Sequence, residues 1–178
     1  MEQELLRLVK LARAGDREAF TQLVLSQEGM LSRVAMGILK NPDDAADAVQ
    51  DAVLEAWQGI EKLRQPRYFK TWLVRILMTK CYHISSLRSK HNHSPLEEAL
   101  DAGSLPDWDQ ALDVGSTLRS MRPEDQMILG LFYYDGLSVR DIAKALGISE
   151  DSVKQRLHRG RKRFQAAYLE KEELCHEK

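Results

Sequence analysis

Apolar residues recur along this chain at the three- and four-residue spacing of α-helices, and no segment sustains the alternation typical of a β-strand. The first helical pattern covers residues 5–12 and stops at Gly15. Asp16 can cap a second helix, and another apolar pattern runs through residues 30–38. These patterns predict an all-α protein.

The next helix has a well-marked start at Asn41-Pro42, where Asn can cap the helix and Pro occupies its first position. We expect it to reach about residue 57. Gln65-Pro66 indicates a loop, after which a further helix is expected over about residues 67–87.

The apolar period is lost between residue 89 and about residue 109, where Ser, Pro, Gly and Asp are frequent and one helical turn is expected after Ser94-Pro95. The helical pattern resumes near Gln110. We therefore predict two helical domains, residues 1–88 and 114–178, joined by a flexible linker over residues 89–113. Residues 171–178 are expected to form a polar tail.

Within the second domain, Arg122-Pro123 is expected to start a helix that ends at Asp135-Gly136. Two short helices should follow over residues 138–163. Ser138 can cap the first, with a carboxylate three residues later, and Gly147 suits the left-handed position that ends it. Ser149 can cap the second helix.

The apolar residues of this pair are spaced to pack the two helices together, and most of the remaining positions of the second helix are basic. This pattern is typical of a DNA-binding helix-turn-helix, in which the second helix enters the major groove. The alternative is a helical hairpin with a solvated basic face. The agreement of caps, turn glycine, apolar spacing and charge favours DNA binding.

Charge is unevenly distributed along the chain, although the formal net charge is only −1. Residues 41–55 carry five acids and no Lys or Arg, whereas residues 154–163 are strongly basic. Such segregation indicates different partners for different faces.

Cys81 and Cys175 form no recognisable pair, the first residues lack a signal-peptide pattern, and no apolar run could span a bilayer. We expect a cytoplasmic protein without membrane insertion.

Three features of the first domain have both a functional and a structural interpretation. The acids of residues 43–55 recur every four residues and form one stripe, which taken alone is best interpreted as a solvated face. Residues 64–75 interleave cations with aromatics, which suits phosphate contacts and stacking on unpaired bases, although Phe69, Trp72 and Ile76 have the spacing of core residues. We expect Trp72 and Ile76 to be mostly core and the cations to be exposed.

A metal site is the third possibility, built from Cys81, His83, His91 and His93. Their spacing fits no familiar zinc pattern, and the last two lie close to or within the linker. We therefore predict no metal, no cofactor and no catalytic residue.

The order of these parts resembles the extracytoplasmic-function (ECF) group of bacterial sigma factors, which have only regions two and four of the sigma-70 family. Residues 14–20 resemble the opening of region two, and residues 44–57 the helix that binds polymerase. Residues 69–76 are similar to the promoter-melting segment, and residues 152–161 to the helix that recognises the −35 element.

This resemblance implies an alternative sigma factor with no chemistry of its own, which binds core RNA polymerase at the β′ clamp coiled coil and directs initiation at specific promoters. It also implies an anti-sigma factor that holds the protein inactive until a stress or envelope signal arrives, and we expect a monomer when no partner is bound. The polymerase-binding candidates are Asp44, Asp47, Gln50, Asp51 and Glu55. The candidates for recognition and melting of the −10 element are Arg64, Arg67, Tyr68, Lys70 and Arg75. The −35 candidates are Ser149, Ser152, Lys154, Gln155, Arg156, Arg159 and Arg161.

The chain departs from the family pattern in three places. Thr79 and His83 stand where the family often has Asn and Asp, which bears on the details of −10 contacts. Ser152 replaces the usual Thr but keeps its hydroxyl, and Met121-Arg-Pro123 replaces the usual Leu-Pro.

Two other functions remain possible from the residues alone. An ordinary helix-turn-helix regulator would bind DNA without polymerase, usually as a dimer on a palindrome. A metalloenzyme would need clustered ligands and a carboxylate base.

Overall fold

The computed structural model describes residues 2–91 and 112–176, and every regular element within those residues is helical. The all-α prediction is confirmed. Short 3₁₀ helices at Ile60–Lys62 and Pro66–Tyr68 connect the third and fourth α-helices. The α-helices of these residues are α1 Glu2–Arg13, α2 Arg17–Leu39, α3 Pro42–Gly59, α4 Phe69–His91, α5 Leu112–Ser120, α6 Pro123–Leu129, α7 Val139–Leu146 and α8 Glu150–His176.

The caps of the first domain form as the sequence predicts. The Asp16 carboxylate accepts from the backbone N–H of Ala19 at 3.0 Å, and the Asn41 side chain accepts from that of Asp44 at 3.0 Å. The two apolar patterns before Asn41 belong to one continuous helix, α2. The intervening residues contain a glycine but no proline, and a lone glycine lowers helix stability without ending the helix.

Helix α3 packs closely on its neighbours because its inner face is made of small residues. Ala45, Ala48, Ala52 and Ala56 are all buried, so the backbone of α3 lies close to α2 and α4. Larger side chains from the neighbouring helices complete the core, including Leu23, Val34 and Leu77. This packing holds α3 with its opposite face towards solvent.

The second domain contains the predicted helix-turn-helix. The Ser138 hydroxyl accepts from the N–H of Asp141 at 3.1 Å and lies 2.6 Å from its carboxylate, and Gly147 ends α7 with a φ of 67°. Before it, α6 continues into a π-helical turn, Gly130–Tyr134, which the sequence analysis did not predict. Asp135 and Gly136, the latter with a φ of 70°, end that turn as expected.

Helix α8 is longer than predicted. It continues to His176, so most of the segment from residue 171 that was expected as a polar tail is helical. Lys, Glu and Leu are good helix formers, so a helix that has already started can extend through this segment. The linker interpretation falls largely on residues 92–111, which lie outside the described residues, as do Ser94-Pro95 and Gln110.

The two domains pack directly against each other. Helix α2 contacts α6, and α4 contacts α7. Gly37 permits the first approach, since a Cβ there would lie 2.9 Å from Met127 Cβ and 3.2 Å from the Pro123 carbonyl oxygen. The sequence led us to expect two domains joined only by a flexible linker, and this interface between them was not predicted.

A buried ion pair crosses the interface between the domains. The Arg33 guanidinium donates to both carboxylate oxygens of Asp135, at 2.9 and 2.8 Å, and lies 5.0 Å from the centre of the Tyr134 ring. Both paired side chains are less than one-tenth exposed. Removal of one partner from such a pair typically costs about 3–5 kcal/mol, because the other charge is left buried.

None of the helices in the described residues is long and apolar enough to cross a membrane.

Candidate polymerase- and DNA-binding surfaces

The outer face of α3 presents a compact group of polar side chains around one exposed leucine. Asp47, Gln50 and Asp51 are all exposed, and Leu54 is 58% exposed. Residues three and four apart are neighbours on a helix surface, so these four form one patch, which we call the acidic patch. Leu54 is not among the residues predicted from the sequence, although its i+3 and i+4 spacing places it beside Asp51 and Gln50.

The other two predicted polymerase-binding residues adjoin this patch but have local contacts of their own. Asp44 is only partly exposed and sits in the first turn of α3, where its N–H is capped by Asn41. Glu55 is exposed but forms an ion pair with Lys80 of α4 at 2.6 Å. The hydrogen bond that the Lys80 ammonium donates to the Glu55 carboxylate raises the pKa of Lys80, with smaller contributions from the charges of Glu55 and Asp51.

The acids that recur every four residues along α3 repel one another and lower the stability of the helix. Like charges four residues apart destabilise a helix by about 0.2–0.5 kcal/mol per pair. Lys80 offsets this repulsion at Glu55. Among the described residues, no ion pair is formed with Asp47 or Asp51. A basic partner would relieve this repulsion, which favours a binding role over the solvated-face interpretation.

The residues predicted for −10 contacts extend from the loop before the second 3₁₀ helix into the first two turns of α4. Arg64, Arg67 and Arg75 are exposed, and Tyr68 is 39% exposed. The Arg67 guanidinium lies 4.7 Å from the centre of the Tyr68 ring, and its Nε donates to Gln65 at 3.1 Å. A cation held over an aromatic ring at the surface is suited to contact a phosphate and a base together.

The remaining residues of this segment face inward. Phe69 is fully buried and Ile76 nearly so, while Trp72 is partly buried against the core, as expected for core spacing. Lys70 is directed towards the second domain and donates to the backbone carbonyl of Asp135 at 2.8 Å. In this conformation Lys70 is therefore engaged within the chain.

Helix α8, the predicted recognition helix, begins with a serine cap. Ser149 accepts from the N–H of Ser152 at 3.1 Å, and the two hydroxyls lie 2.8 Å apart, so Ser152 is half-buried and partly committed to the cap. Lys154 is exposed and lies 3.2 Å from the Asp151 carboxylate. Val153 and Leu157 are buried, which anchors the helix against the rest of the domain.

The exposed face of α8 presents Gln155, Arg156 and Arg159 to solvent. The next two arginines contact their own domain. Arg161 lies 3.4 Å from the Tyr133 hydroxyl, and Arg163 pairs with the largely buried Asp125 at 2.6 Å. The basic residues of α8 therefore form two groups. Some are exposed to solvent without a contact inside the domain, and others contact α6 or the π-helical turn.

The described part of the chain contains no group of three or more potential metal ligands. Cys81 is fully buried, and burial raises the pKa of its thiol to about 12, so it stays protonated. His83 is exposed, His93 lies outside the described residues, and the side chain of His91 is likewise not described.

Comparison with known proteins matches both halves of the chain. The family described as sigma-70 region 2 matches residues 23–92, and the family described as sigma-70 region 4 matches residues 111–164. The chain is 32% identical over 152 residues to the ECF RNA polymerase sigma factor SigM of Mycobacterium tuberculosis, a match that covers 85% of this chain and 78% of that protein. It is 27% identical to the ECF RNA polymerase sigma factor SigW of Bacillus subtilis, with 90% and 95% covered.

Two solved structures share the fold. The structure of CnrH in complex with the cytosolic domain of CnrY matches with a TM-score of 0.57 at 24% identity, and covers 92% of this chain and 96% of that one. The sigma factor RpoE from Bartonella quintana, in complex with the anti-sigma factor NepR, matches with a TM-score of 0.57 at 22% identity, with 93% and 94% covered.

Proposed function

Since this chain belongs to the ECF group of sigma-70 RNA polymerase sigma factors, we propose that its acidic patch binds core polymerase while α4 and α8 contact the two promoter elements. It is an alternative sigma factor, which directs transcription initiation at specific promoters. The observation that carries the assignment of surfaces is their opposite charge. The acidic patch lies on the first domain, and the exposed Gln155, Arg156 and Arg159 lie on the second.

The acidic patch combines the chemistry that a basic protein surface requires. Asp47 and Asp51 can pair with Lys or Arg of the polymerase, Gln50 can both donate and accept, and Leu54 can bury apolar area between them. The clamp coiled coil of the β′ subunit is the proposed partner. Asp44 and Glu55 are proposed to have structural roles in addition, as their local contacts indicate.

The DNA-binding residues divide into those that specify sequence and those that position the protein. Gln155 can pair with adenine, and Arg156 or Lys154 with guanine, at the start of the recognition helix. Arg159 is placed one turn later, where phosphate contacts are expected. Ser149 and Ser152 would act mainly through the cap that orients these side chains.

The regulation proposed for this chain follows its family. An anti-sigma factor is expected to hold it inactive in the cytoplasm, as NepR is found in complex with RpoE. The domain boundaries proposed from the sequence are 1–88 and 114–178, with a linker over 89–113. The segments matched by the two families, residues 23–92 and 111–164, support a division in this part of the chain.

The direct test is transcription in vitro. Purified chain and bacterial core polymerase should together produce a defined transcript from a cognate promoter, which core alone does not produce. A helix-turn-helix regulator would instead bind the promoter without polymerase and leave initiation by core unchanged. Promoter-dependent initiation by the reconstituted enzyme therefore separates the two functions.

Loss of the exposed −10 cations should impair strand opening. Replacement of Arg64 and Arg67 by alanine is expected to reduce open-complex formation about tenfold, because a cation over an aromatic ring contributes about 0.5–2 kcal/mol and about 1.4 kcal/mol corresponds to tenfold. Permanganate reactivity of the −10 thymines measures the opening. The matched control removes two exposed cations from the same domain, Lys10→Ala with Arg17→Ala. Equal defects in closed- and open-complex formation would assign Arg64 and Arg67 to simple phosphate contact.

A further inference from the structure

Helix α1 carries none of the residues predicted to bind polymerase or DNA, and it lies outside residues 23–92, the segment that matches sigma-70 region 2. Its buried face consists of Leu8, Val9 and Ala12. Helix α1 packs on α2 and also on both short 3₁₀ helices, which adjoin the end of α3 and the start of α4. It therefore contacts the two elements between which the exposed Arg64 lies.

The segment of residues 60–68, which we call the −10 loop, has little internal support. Neither of its 3₁₀ helices has a side-chain cap, and 3₁₀ helices have poorer hydrogen-bond geometry than α-helices. Arg64 and Gln65 are exposed at its centre, whereas Ile60 and Leu63 are buried. The conformation of the exposed residues therefore depends on what packs against Ile60 and Leu63.

The last turns of α1 lie beside the −10 loop. The turn from α1 into α2 is tight, since the Asp16 N–H donates to the Leu11 carbonyl at 3.2 Å. The start of α2 lies beside the end of α3, where the ring centres of Phe20 and Trp57 are 5.0 Å apart. The first 3₁₀ helix follows directly at the end of α3. The end of α1, with its buried Val9 and Ala12, is thus placed against the base of the loop.

We propose that α1 holds the −10 loop in the conformation that captures unpaired promoter bases, so that Val9 and Ala12 are positioning residues for strand opening. This inference rests on the proposed function, because it assumes that Arg64 and Arg67 of the loop contact the opened strand. A loop that is already ordered loses less conformational entropy when it binds. Support from α1 should therefore favour the open complex, in which bases are captured, over the closed complex, in which they remain paired.

A pair of valine substitutions separates this role from a general contribution to stability. Val9→Ala removes apolar groups from the buried face of α1, and Val34→Ala, in α2, is the matched control. Both valines are fully buried, so the two changes remove the same groups from the core of the same domain. Val34 lies four turns beyond Phe20 on α2, or roughly 20 Å along the helix axis. The control therefore alters the core far from the −10 loop.

Val9→Ala should reduce opening of the −10 element, measured by permanganate reactivity, at least about threefold relative to Val34→Ala. The two variants should bind core polymerase and form closed complexes equally well.

Amide hydrogen exchange of the free chain gives a second readout that requires no polymerase. The N–H groups of Leu63 and Tyr68 donate to the carbonyls of Ile60 and Gln65, both at 3.1 Å. They should exchange at least about threefold faster in Val9→Ala than in Val34→Ala, because local opening of the loop exposes them.

Equal opening and equal exchange in the two variants would overturn the proposal, since α1 would then contribute only to the stability of the domain. Faster exchange without a loss of opening would also overturn it, because the order of the loop would not matter for base capture. A loss of opening without faster exchange would contradict a role through the loop. Failure of the wild-type chain to initiate would instead overturn the proposed function, and the role of α1 with it, whatever the exchange rates.

A milder substitution tests the same role if Val9→Ala does not fold. Lys10 is exposed on α1, and glycine destabilises a helix relative to alanine, so Lys10→Gly compared with Lys10→Ala loosens α1 at equal charge. Glu28→Gly compared with Glu28→Ala makes the same change at an exposed position of α2. Opening should fall about threefold within the α1 pair and stay nearly constant within the α2 pair. Equal losses in both pairs, or no loss in either, would overturn the proposal.

Discussion

Charge reversal at Asp47 and Asp51 is expected to weaken binding of the chain to core polymerase about 100-fold, equivalent to about 3 kcal/mol. Each substitution to lysine removes one attraction to a basic partner and adds one repulsion. The folded domain should tolerate the change, because both side chains are exposed and their like charges four residues apart already oppose the helix. Binding to fluorescently labelled core measures the effect, and circular dichroism verifies that helicity is retained.

The control for this experiment must carry the same change in net charge. Glu28→Lys with Glu61→Lys reverses two exposed acids elsewhere in the first domain and should leave affinity for core nearly unchanged. If both double variants weaken binding equally, the effect comes from the general field of the protein and not from the acidic patch. If neither does, α3 is not the polymerase-binding surface.

Leu54 is a further residue of the acidic patch that we expect to contribute to polymerase binding. Leu54 is 58% exposed and so contributes little to the core, but a partner that covers it would gain about 25 cal/mol for each Å² of apolar surface buried. Only polar residues of α3 were predicted from the sequence to bind polymerase. A repeat of acids is easily recognised in a sequence, whereas a single leucine in a helix is not.

Local structure in this chain could be predicted largely from short-range chemistry. Asp16, Asn41 and Ser138 cap helices as their positions indicate, and Gly147 takes the left-handed conformation at the predicted helix end. These features depend on a few neighbouring residues, so they are visible in the sequence. The π-helical turn at Gly130–Tyr134 was not visible, because nothing in its composition distinguishes it from a continuing α-helix.

Contacts between distant segments could not be predicted in the same way. Arg33 and Asp135 are separated by 102 positions, and each has an ordinary local interpretation, one within a helix and the other before a turn glycine. The available indication was that Arg33 lies one helical turn from Gly37 and three residues from buried Met30. An arginine in such a position requires a buried partner, but its identity depends on how the domains pack.

The assignment of individual basic residues was limited by the same lack of three-dimensional information. A run of arginines indicates nucleic-acid binding, yet the sequence cannot separate side chains that face a ligand from those that hold the helix in place. The structure makes this distinction at Arg163, which pairs with Asp125, and at Arg159, which is exposed. The Arg163 side chain is itself 48% exposed, so the ion pair with Asp125, and not burial, distinguishes it from Arg159.

Substitutions at two positions of the proposed recognition helix are therefore expected to have different effects on DNA binding. Gln155→Ala should relax the preference for one base pair of the −35 element, at a cost of about 1–3 kcal/mol for the preferred sequence and little for others. Arg159→Ala should lower affinity for all sequences alike and reduce the slope of log affinity against log salt by about 1. Holoenzyme binding to a set of single-position −35 variants, measured at several salt concentrations, gives both quantities.

A control on the same helix makes the comparison quantitative. Gln165 is exposed on α8 one or two turns beyond the proposed contacts, so Gln165→Ala should change neither sequence preference nor salt dependence. A uniform loss of affinity in Gln155→Ala, with the preferred sequence unchanged, would mean that a different face of α8 enters the groove. Since Val153 and Leu157 fix the buried side of the helix, the bases would then be contacted from further along the helix, and Arg159 would become the first residue to examine for specificity.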